Sequence, residues 1–322
     1  MLCEIAPDNF LLTWAFLTVI GFVMIMATSG VVFKLYYTNV TYDMWVHKTN
    51  PKFPSVEKVR DEIVQTAKGM WTATLCPALA IWLTGRGYSK AYCANPFDDE
   101  AHGGLQAAVI SLILVVAVSD FWEWGYHRLG HTFAGFWSVH KHHHVFFNPS
   151  PFAVIADEYV DQFFRALPLL LFPVLVPINM DVMFFTYGLF FYAYGVYLHW
   201  GYESPYLSAH NPILNTAYHH YCHHAKAILN KPYHCGFFFK IWDQLTGGMY
   251  PTDKCFCCQC EAKKGNRQRK HFADVVVPDY SGLLSAEFWM KPGVFTGVSA
   301  KDTNEVLTEE ERIFSEKGGK KK

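Results

Sequence analysis

Charge is what this sequence has least of. Only 17% of its 322 residues are Asp, Glu, Lys or Arg, against roughly 25% in an average soluble domain. With a net charge of −1 it has no basic excess, which excludes a nucleic-acid binder, since such a protein needs a positive patch. A spaced cysteine framework is also missing. Four of the nine cysteines sit in "CFCCQC", Cys255 to Cys260, too close together for the disulfide ladder of a small secreted module. In place of charge there is apolar surface, 51% of residues, and aromatic residues, 17%.

The charge-free stretches set the broad class. Residues 10–33, "FLLTWAFLTVIGFVMIMATSGVVF", reach the roughly 20 residues that a spanning helix requires. They lack a basic start and a small-residue cleavage site, so they read as an anchor and not as a signal peptide. A second run begins at 105–118, "LQAAVISLILVVAV", and a shorter one broken by proline lies at 69–84. Residues 163–198 are apolar for about twice a bilayer thickness, with Pro168, Pro173 and Pro177 in the first half and "INMD" near the middle. This predicts two helices in a hairpin. The expected fold is all-α, with about four to five membrane spans. Three regions follow: an N-terminal membrane region over 1–104 with two of these spans, a histidine-rich region over 105–250, and a Cys-rich and charged tail over 251–322. The final "TEEERIFSEKGGKKK" has the composition of a disordered segment. The loop after the first run carries Lys34, Lys48, Lys52, Lys58 and Arg60, whereas Met1 to Asn9 hold no Lys or Arg. The positive-inside bias therefore puts that loop in the cytosol, and counting spans onward brings both histidine-rich stretches to the same face.

Those stretches are "HRLGHTFAGFWSVHKHHH" (127–144) and "HWGYESPYLSAHNPILNTAYHHYCHH" (199–224), and thirteen of the sixteen histidines fall between His127 and His234. His127 and His131 are four apart, which places them one turn apart on a helix face. His140, His143 and His144 form an i, i+3, i+4 set, and His220, His223 and His224 repeat it. His199 stands at the foot of the hairpin. A zinc site takes four ligands, or three and a water, so this many imidazoles fits two metals. Imidazole alone does not choose among zinc, copper, iron and nickel. His142 and His219 fall at non-matching positions and read as bystanders or supporting groups, while His47, His102, His210 and His271 read as ordinary polar histidines. Four cysteines within six residues are too crowded to ligate one tetrahedral zinc together; palmitoylation or plain reduced thiols are the alternatives for "CFCCQC".

The order H-x3-H, H-x2-H-H, H-x2-H-H behind paired apolar helices resembles the membrane-bound fatty acid hydroxylase/sterol desaturase superfamily. The likeness is carried by "HRLGH", by "WSVHKHHH" with "NPSPFA", by "AYHHYCHH" and by "GFFFKIWDQLTGG", over about residues 105–250. It implies a cytosolic histidine-rich helical cap holding a non-haem di-iron site that activates O2 against a lipid C–H bond. Electrons would come from NAD(P)H through a reductase and a cytochrome b5-type donor. His127, His131, His140, His143, His144, His220, His223 and His224 are then the ligands, with His199 a further one. Asp120, Glu123 and Asp243 are candidates to orient them, because a metal-bound imidazole donates its other N–H to an acceptor.

Within that superfamily "NPSPFA…VDQFFRALPLLLFPVLVPIN" followed by His199 is most similar to the sterol C-5 desaturase (lathosterol oxidase) branch. The expectation is a sterol desaturase in the endoplasmic reticulum membrane. A hydroxylase of fatty acyl, sphingoid or alkylglycerol lipids is the alternative, and a metal-handling or non-enzymatic membrane protein is the alternative of another class. Where that branch has Asn-Tyr-Gly after the last triplet, this chain has His234, Cys235 and Gly236, so His234 is an extra ligand or a pocket residue.

Overall fold

The computed structural model describes residues 9–291 and residue 294; the charged C-terminal segment expected to be disordered lies outside them. Among these residues the elements are helical, joined by turns and isolated bridges. Helix α1 (Phe10–Tyr37) starts where the Asn9 side chain accepts the Leu12 N–H, and Lys34 in its last turn is its first charge. After a single turn, α2 (Tyr42–Trp45), come α3 (Val56–Ala73) and α4 (Leu75–Gly85). Thr74 separates these two, because Pro77 has no N–H to give the Ala73 carbonyl and the helix must restart. Helix α5 (Gly104–Thr132) is the second long rod, followed by α6 (Ala134–His140).

The apolar stretch 163–198 forms two helical arms. The first is α7 (Tyr159–Ala166) and α8 (Pro168–Leu175), segmented where Pro168 and Pro173 interrupt the hydrogen-bond ladder. The second is α9 (Met180–Phe185), a π-helical turn (Thr186–Phe191) and α10 (Tyr192–His199). Residues 176–179 turn between the arms, and Asn179 caps α9 through a bond from the Val182 N–H. Against the expected four to five spans, two helices among the described residues, α1 and α5, are by themselves long and apolar enough to cross a bilayer. Only 17% and 22% of their most apolar windows are buried, and Leu12, Val19, Val23, Val31, Val109, Ile113 and Val118 face outward. A core helix of a soluble protein hides this surface, so these two suggest membrane anchoring. Two buried hydroxyls of α1 find partners outside the helix: Thr18 Oγ1 pairs with Thr74 Oγ1 at 2.7 Å, and the Ser29 hydroxyl donates to the Pro151 carbonyl at 2.7 Å.

Helix α3 acts as a rail for the loop 150–157, which leads into the site. Thr66 Oγ1 donates to the Phe152 carbonyl at 2.6 Å, Gln65 Nε2 to the Asp157 carbonyl at 2.8 Å, and the Ser150 N–H to Glu62 Oε1 at 3.0 Å. Burial pushes the Glu62 carboxyl up to about 8 against the pull of Ser150. The described part of the C-terminal region also packs down. Arg267 donates to the Lys48 carbonyl at 2.8 Å and Tyr280 to the Pro54 carbonyl at 2.7 Å. At Gly69 a Cβ would lie 2.4 Å from the Ile155 carbonyl oxygen, whereas at Gly135 it would meet nothing. Gly69→Ala should cost about 1–3 kcal/mol through that backbone clash, and Gly135→Ala should be neutral or slightly stabilising. Thermal unfolding of the two variants in detergent checks this; equal midpoints would contradict the α3 contact.

Candidate metal centre

Four segments bring nine histidines together. Helix α5 carries His127 and His131 in its last turns, and α6 ends on His140. His143 and His144 follow in a 3-10 turn (His143–Val145), not on the continuous helix that the spacing predicts. Lys141 and His142 intervene as a turn. His199 closes α10, while His220, His223 and His224 lie on α11 (Ala217–Lys226) with the predicted one-face geometry. Gly130 lets this assembly close, since a Cβ there would sit 3.0–3.1 Å from the His140 side chain.

The nine divide into two sets whose ligand atoms lie within 4.8 Å of one another: His127, His131, His140, His144 and His223, and His143, His199, His220 and His224. All nine are buried. Six have Nδ1 at an acceptor: His127 at the Cys235 carbonyl (3.1 Å), His131 at Ile228 (3.3 Å), His199 at Gly195 (2.8 Å) and His223 at Tyr233 (2.6 Å), with His140 at Asp161 Oδ2 (2.8 Å) and His143 at Asp157 Oδ1 (3.1 Å). An imidazole facing a carbonyl oxygen must protonate Nδ1, which leaves Nε2 as a bare lone pair. These lone pairs point inward. Nε2 of His127, His131 and His223 has no partner. Three other contacts are Nε2 against Nε2: His144–His140 at 3.3 Å, His220–His199 at 2.9 Å and His224–His220 at 3.2 Å. Buried acceptors without donors are costly, and a pair of imidazole-binding metal ions satisfies all of them. The donor set fits two such ions.

The orienting carboxylates differ from those expected. Asp120 accepts the Phe238 N–H (2.6 Å) and Trp242 Nε1–H (2.8 Å). Asp243 accepts the N–H groups of Cys235 (3.2 Å) and Gly236 (2.8 Å). Glu123 pairs with Arg165. None of the three bonds a ligand-type histidine, because each faces a backbone turn or a cation; Asp243 acts on His127 only through the Cys235 turn. The direct partners are Asp157 and Asp161, with Arg165 at 3.3 Å from Asp157. Burial raises the Asp157 carboxyl, but Arg165 and His143 outweigh it and hold it well below the ordinary range. The spacing Asp157, Asp161, Arg165, at i, i+4 and i+8, was a readable signal. His219 caps its own helix through Thr216, and His142 faces Glu158 at 3.8 Å. His234 Nε2 accepts the Tyr250 N–H at 3.2 Å and belongs to neither set.

Burial first, and neighbouring imidazoles second, hold His144, His220, His223 and His224 well below the ordinary imidazole range. In the unfolded chain they take up protons near about 6.5. The unfolded state then binds more protons below that pH, so the stability is present above about 6.5 and lost as pH falls beneath it. Metal ions compete for the same lone pairs. Metal content and thermal stability should therefore fall together below about pH 6.5, measured by elemental analysis after equilibration at stepped pH. Flat profiles down to about pH 5 would contradict the buried neutral set.

Comparison with known proteins agrees with this geometry. Residues 112–248 match the fatty acid hydroxylase family model. A delta(7)-sterol 5(6)-desaturase of Aspergillus fumigatus is 32% identical over 241 residues, covering 74% of this chain and 64% of that protein. Lathosterol oxidase of Homo sapiens is 30% identical over 203 residues, covering 62% and 63%. A delta(7)-sterol 5(6)-desaturase of Schizosaccharomyces pombe is 28% identical over 260 residues, covering 79% of each. The chain thus spans a little under two thirds of the length of the first two. No solved structure matches it. Through residues 112–248, with all three histidine motifs in place, the chain belongs to the fatty acid hydroxylase family.

Proposed function

We propose that this chain is a membrane-bound, O2-dependent non-haem di-iron oxidoreductase that desaturates a sterol at C-5. The observation that carries the reading is the pair of buried histidine sets with inward-facing Nε2 atoms. His127, His131, His140, His144 and His223 would hold one iron, and His143, His199, His220 and His224 the other. When bound, such a pair supplies the O2 chemistry that breaks an unactivated C–H bond. The chain's own residues do the rest. Asp161 and Asp157 fix the rings of His140 and His143, Arg165 keeps Asp157 anionic, and the carbonyls of Cys235, Ile228, Tyr233 and Gly195 fix four more rings. Complete burial of the sets keeps bulk water away from the reacting carbon.

A sterol is favoured by the names of the relatives, delta(7)-sterol 5(6)-desaturases and a lathosterol oxidase. Taking two hydrogens from a lipid while O2 goes to two waters consumes two further electrons. A reductase and a b-type cytochrome, fed by NAD(P)H, would deliver them on the cytosolic face. The outward apolar faces of α1 and α5 support entry of substrate from the bilayer, with the two helical arms completing the expected four to five spans. Cytosolic placement of the site is supported by the free thiols Cys222, Cys235, Cys255, Cys257, Cys258 and Cys260 on that side. Cys93, before the far end of α5, is disulfide-bonded, as suits the lumen of the endoplasmic reticulum.

The test is metal analysis of the purified protein together with the sterol profile of cells with and without it. About two irons per chain and a sterol gaining one double bond support the reading. A new hydroxyl on a fatty, sphingoid or alkylglycerol chain would move the substrate and keep the metal chemistry. An unchanged lipid profile with no bound metal would overturn the enzyme assignment. His223→Ala and His143→Ala, one from each set, should each abolish turnover and lower metal content. Asp161→Asn should cost roughly 10–100-fold in metal affinity or activity through the loosened His140 ring; unchanged metal affinity and turnover would remove Asp161 from the site.

A further inference from the structure

The cysteine cluster is not absorbed by the histidine centre, and the fold resolves why four cysteines crowd into six residues. Cys257 caps α12 (Cys258–Lys263) in extended conformation, and its Sγ accepts the Cys260 N–H at 3.4 Å. This makes Cys257 and Cys260 a C-x2-C pair across a helix start. Cys255 joins them from the preceding turn. Cys258 takes no part: its N–H donates to Glu203 Oε1 at 2.6 Å, and its sulfur is not among the converging atoms. The fourth position is filled from 45 residues upstream in the chain. His210 stands on an exposed loop, yet its Nε2 lies 3.6 Å from Cys257 Sγ and 3.7 Å from Cys260 Sγ.

We propose that Cys255, Cys257, Cys260 and His210 form a structural zinc site, separate from the nine-histidine centre. The four ligand atoms lie within 4.8 Å of one another. Zinc bonds of about 2.3 Å to sulfur and 2.0–2.1 Å to nitrogen, at a tetrahedral angle, set sulfur and nitrogen about 3.6 Å apart, which is the spacing found. A crowded "CFCCQC" could not close a tetrahedron with its own four sulfurs, but three of them and a remote imidazole can. Plain reduced thiols would give no reason for a surface histidine to aim at two sulfurs. Three thiolates and an imidazole leave no open position, so the site is structural and not catalytic.

Its place explains what it holds. The Phe256 N–H donates to the Tyr218 hydroxyl at 3.2 Å, and Phe256 packs on Tyr218, Tyr221 and Tyr250. Tyr218 and Tyr221 belong to α11, the helix carrying His220, His223 and His224. Zinc would clip the segment 255–263 to the loop before α11 and so brace that helix from behind.

The test uses the full-length protein purified in detergent without chelator. An organomercurial displaces thiolate-bound zinc, a chromophoric chelator reports it, and histidine-bound metal is not displaced by thiol capture. About one zinc per chain should be released from the wild type and from Cys258→Ser, and none from the Cys257→Ser/Cys260→Ser double variant. No release from the wild type, or equal release from the double variant, overturns the site. If the double variant does not fold, cobalt-loaded wild type decides: a thiolate-to-cobalt charge-transfer band supports the site, and its absence refutes it. Neither outcome depends on the oxidoreductase reading, because no readout is enzymatic.

Discussion

The structure depends on one requirement: nine imidazoles must face one another in a dry interior. Each ring left free would turn its lone pair toward a donor. The acceptors on Nδ1 forbid this by fixing the proton on the outer nitrogen of six of the nine rings. Much of the cap can be understood as the supply of those acceptors. The segment 227–236 gives three carbonyls, from Ile228, Tyr233 and Cys235, and bends through left-handed Asn230 and His234 to do so. Such conformations persist in non-glycine residues only when the surroundings over-determine them. Asp243 does that for the Cys235–Gly236 turn, and Asp120 for the Phe238 and Phe239 backbone that follows.

The second dependence is between helix α3 and the loop that carries Asp157. The loop 150–157 reaches the site only because α3 offers Glu62, Gln65, Thr66 and the bare backbone of Gly69 in succession along one face. Asp157 and Asp161 are thereby delivered to His143 and His140 at the point where α5, α6 and α7 meet. Arg165 completes the junction by bridging Asp157 of the loop and Glu123 of α5.

The histidine motifs were legible because ligand spacing is local: i, i+3 and i+4 positions share a helix face whatever the rest of the chain does. Even so, His143 and His144 reach the centre from a turn, so the pattern survived a change of backbone. Which set each histidine joins was not legible, since that depends on how α5, α10 and α11 pack. The orienting carboxylates were misread for a related reason. Asp120, Glu123 and Asp243 sit near the motifs in sequence, but near in sequence is not near in hydrogen-bond reach. The long rods announced themselves through uninterrupted apolar length; over 163–198 the prolines marked a two-helix hairpin, but not where the first arm would be segmented or that the second would carry a π-helical turn. His210 was passed over because a lone histidine in a polar loop carries no pattern; its partners lie 45 to 50 residues away.

The donor set also bears on redox behaviour. Nine imidazoles bring no negative charge to the centre. Among the groups that touch them, Asp157 and Asp161 supply two carboxylates, and one of these is shared with the Arg165 guanidinium. Two divalent ions held here would keep most of their positive charge uncompensated inside a buried volume. A site of that kind resists losing electrons, since every oxidation adds charge that the protein cannot neutralise. Set beside a carboxylate-bridged pair, ions held by this donor set would therefore have a raised reduction potential.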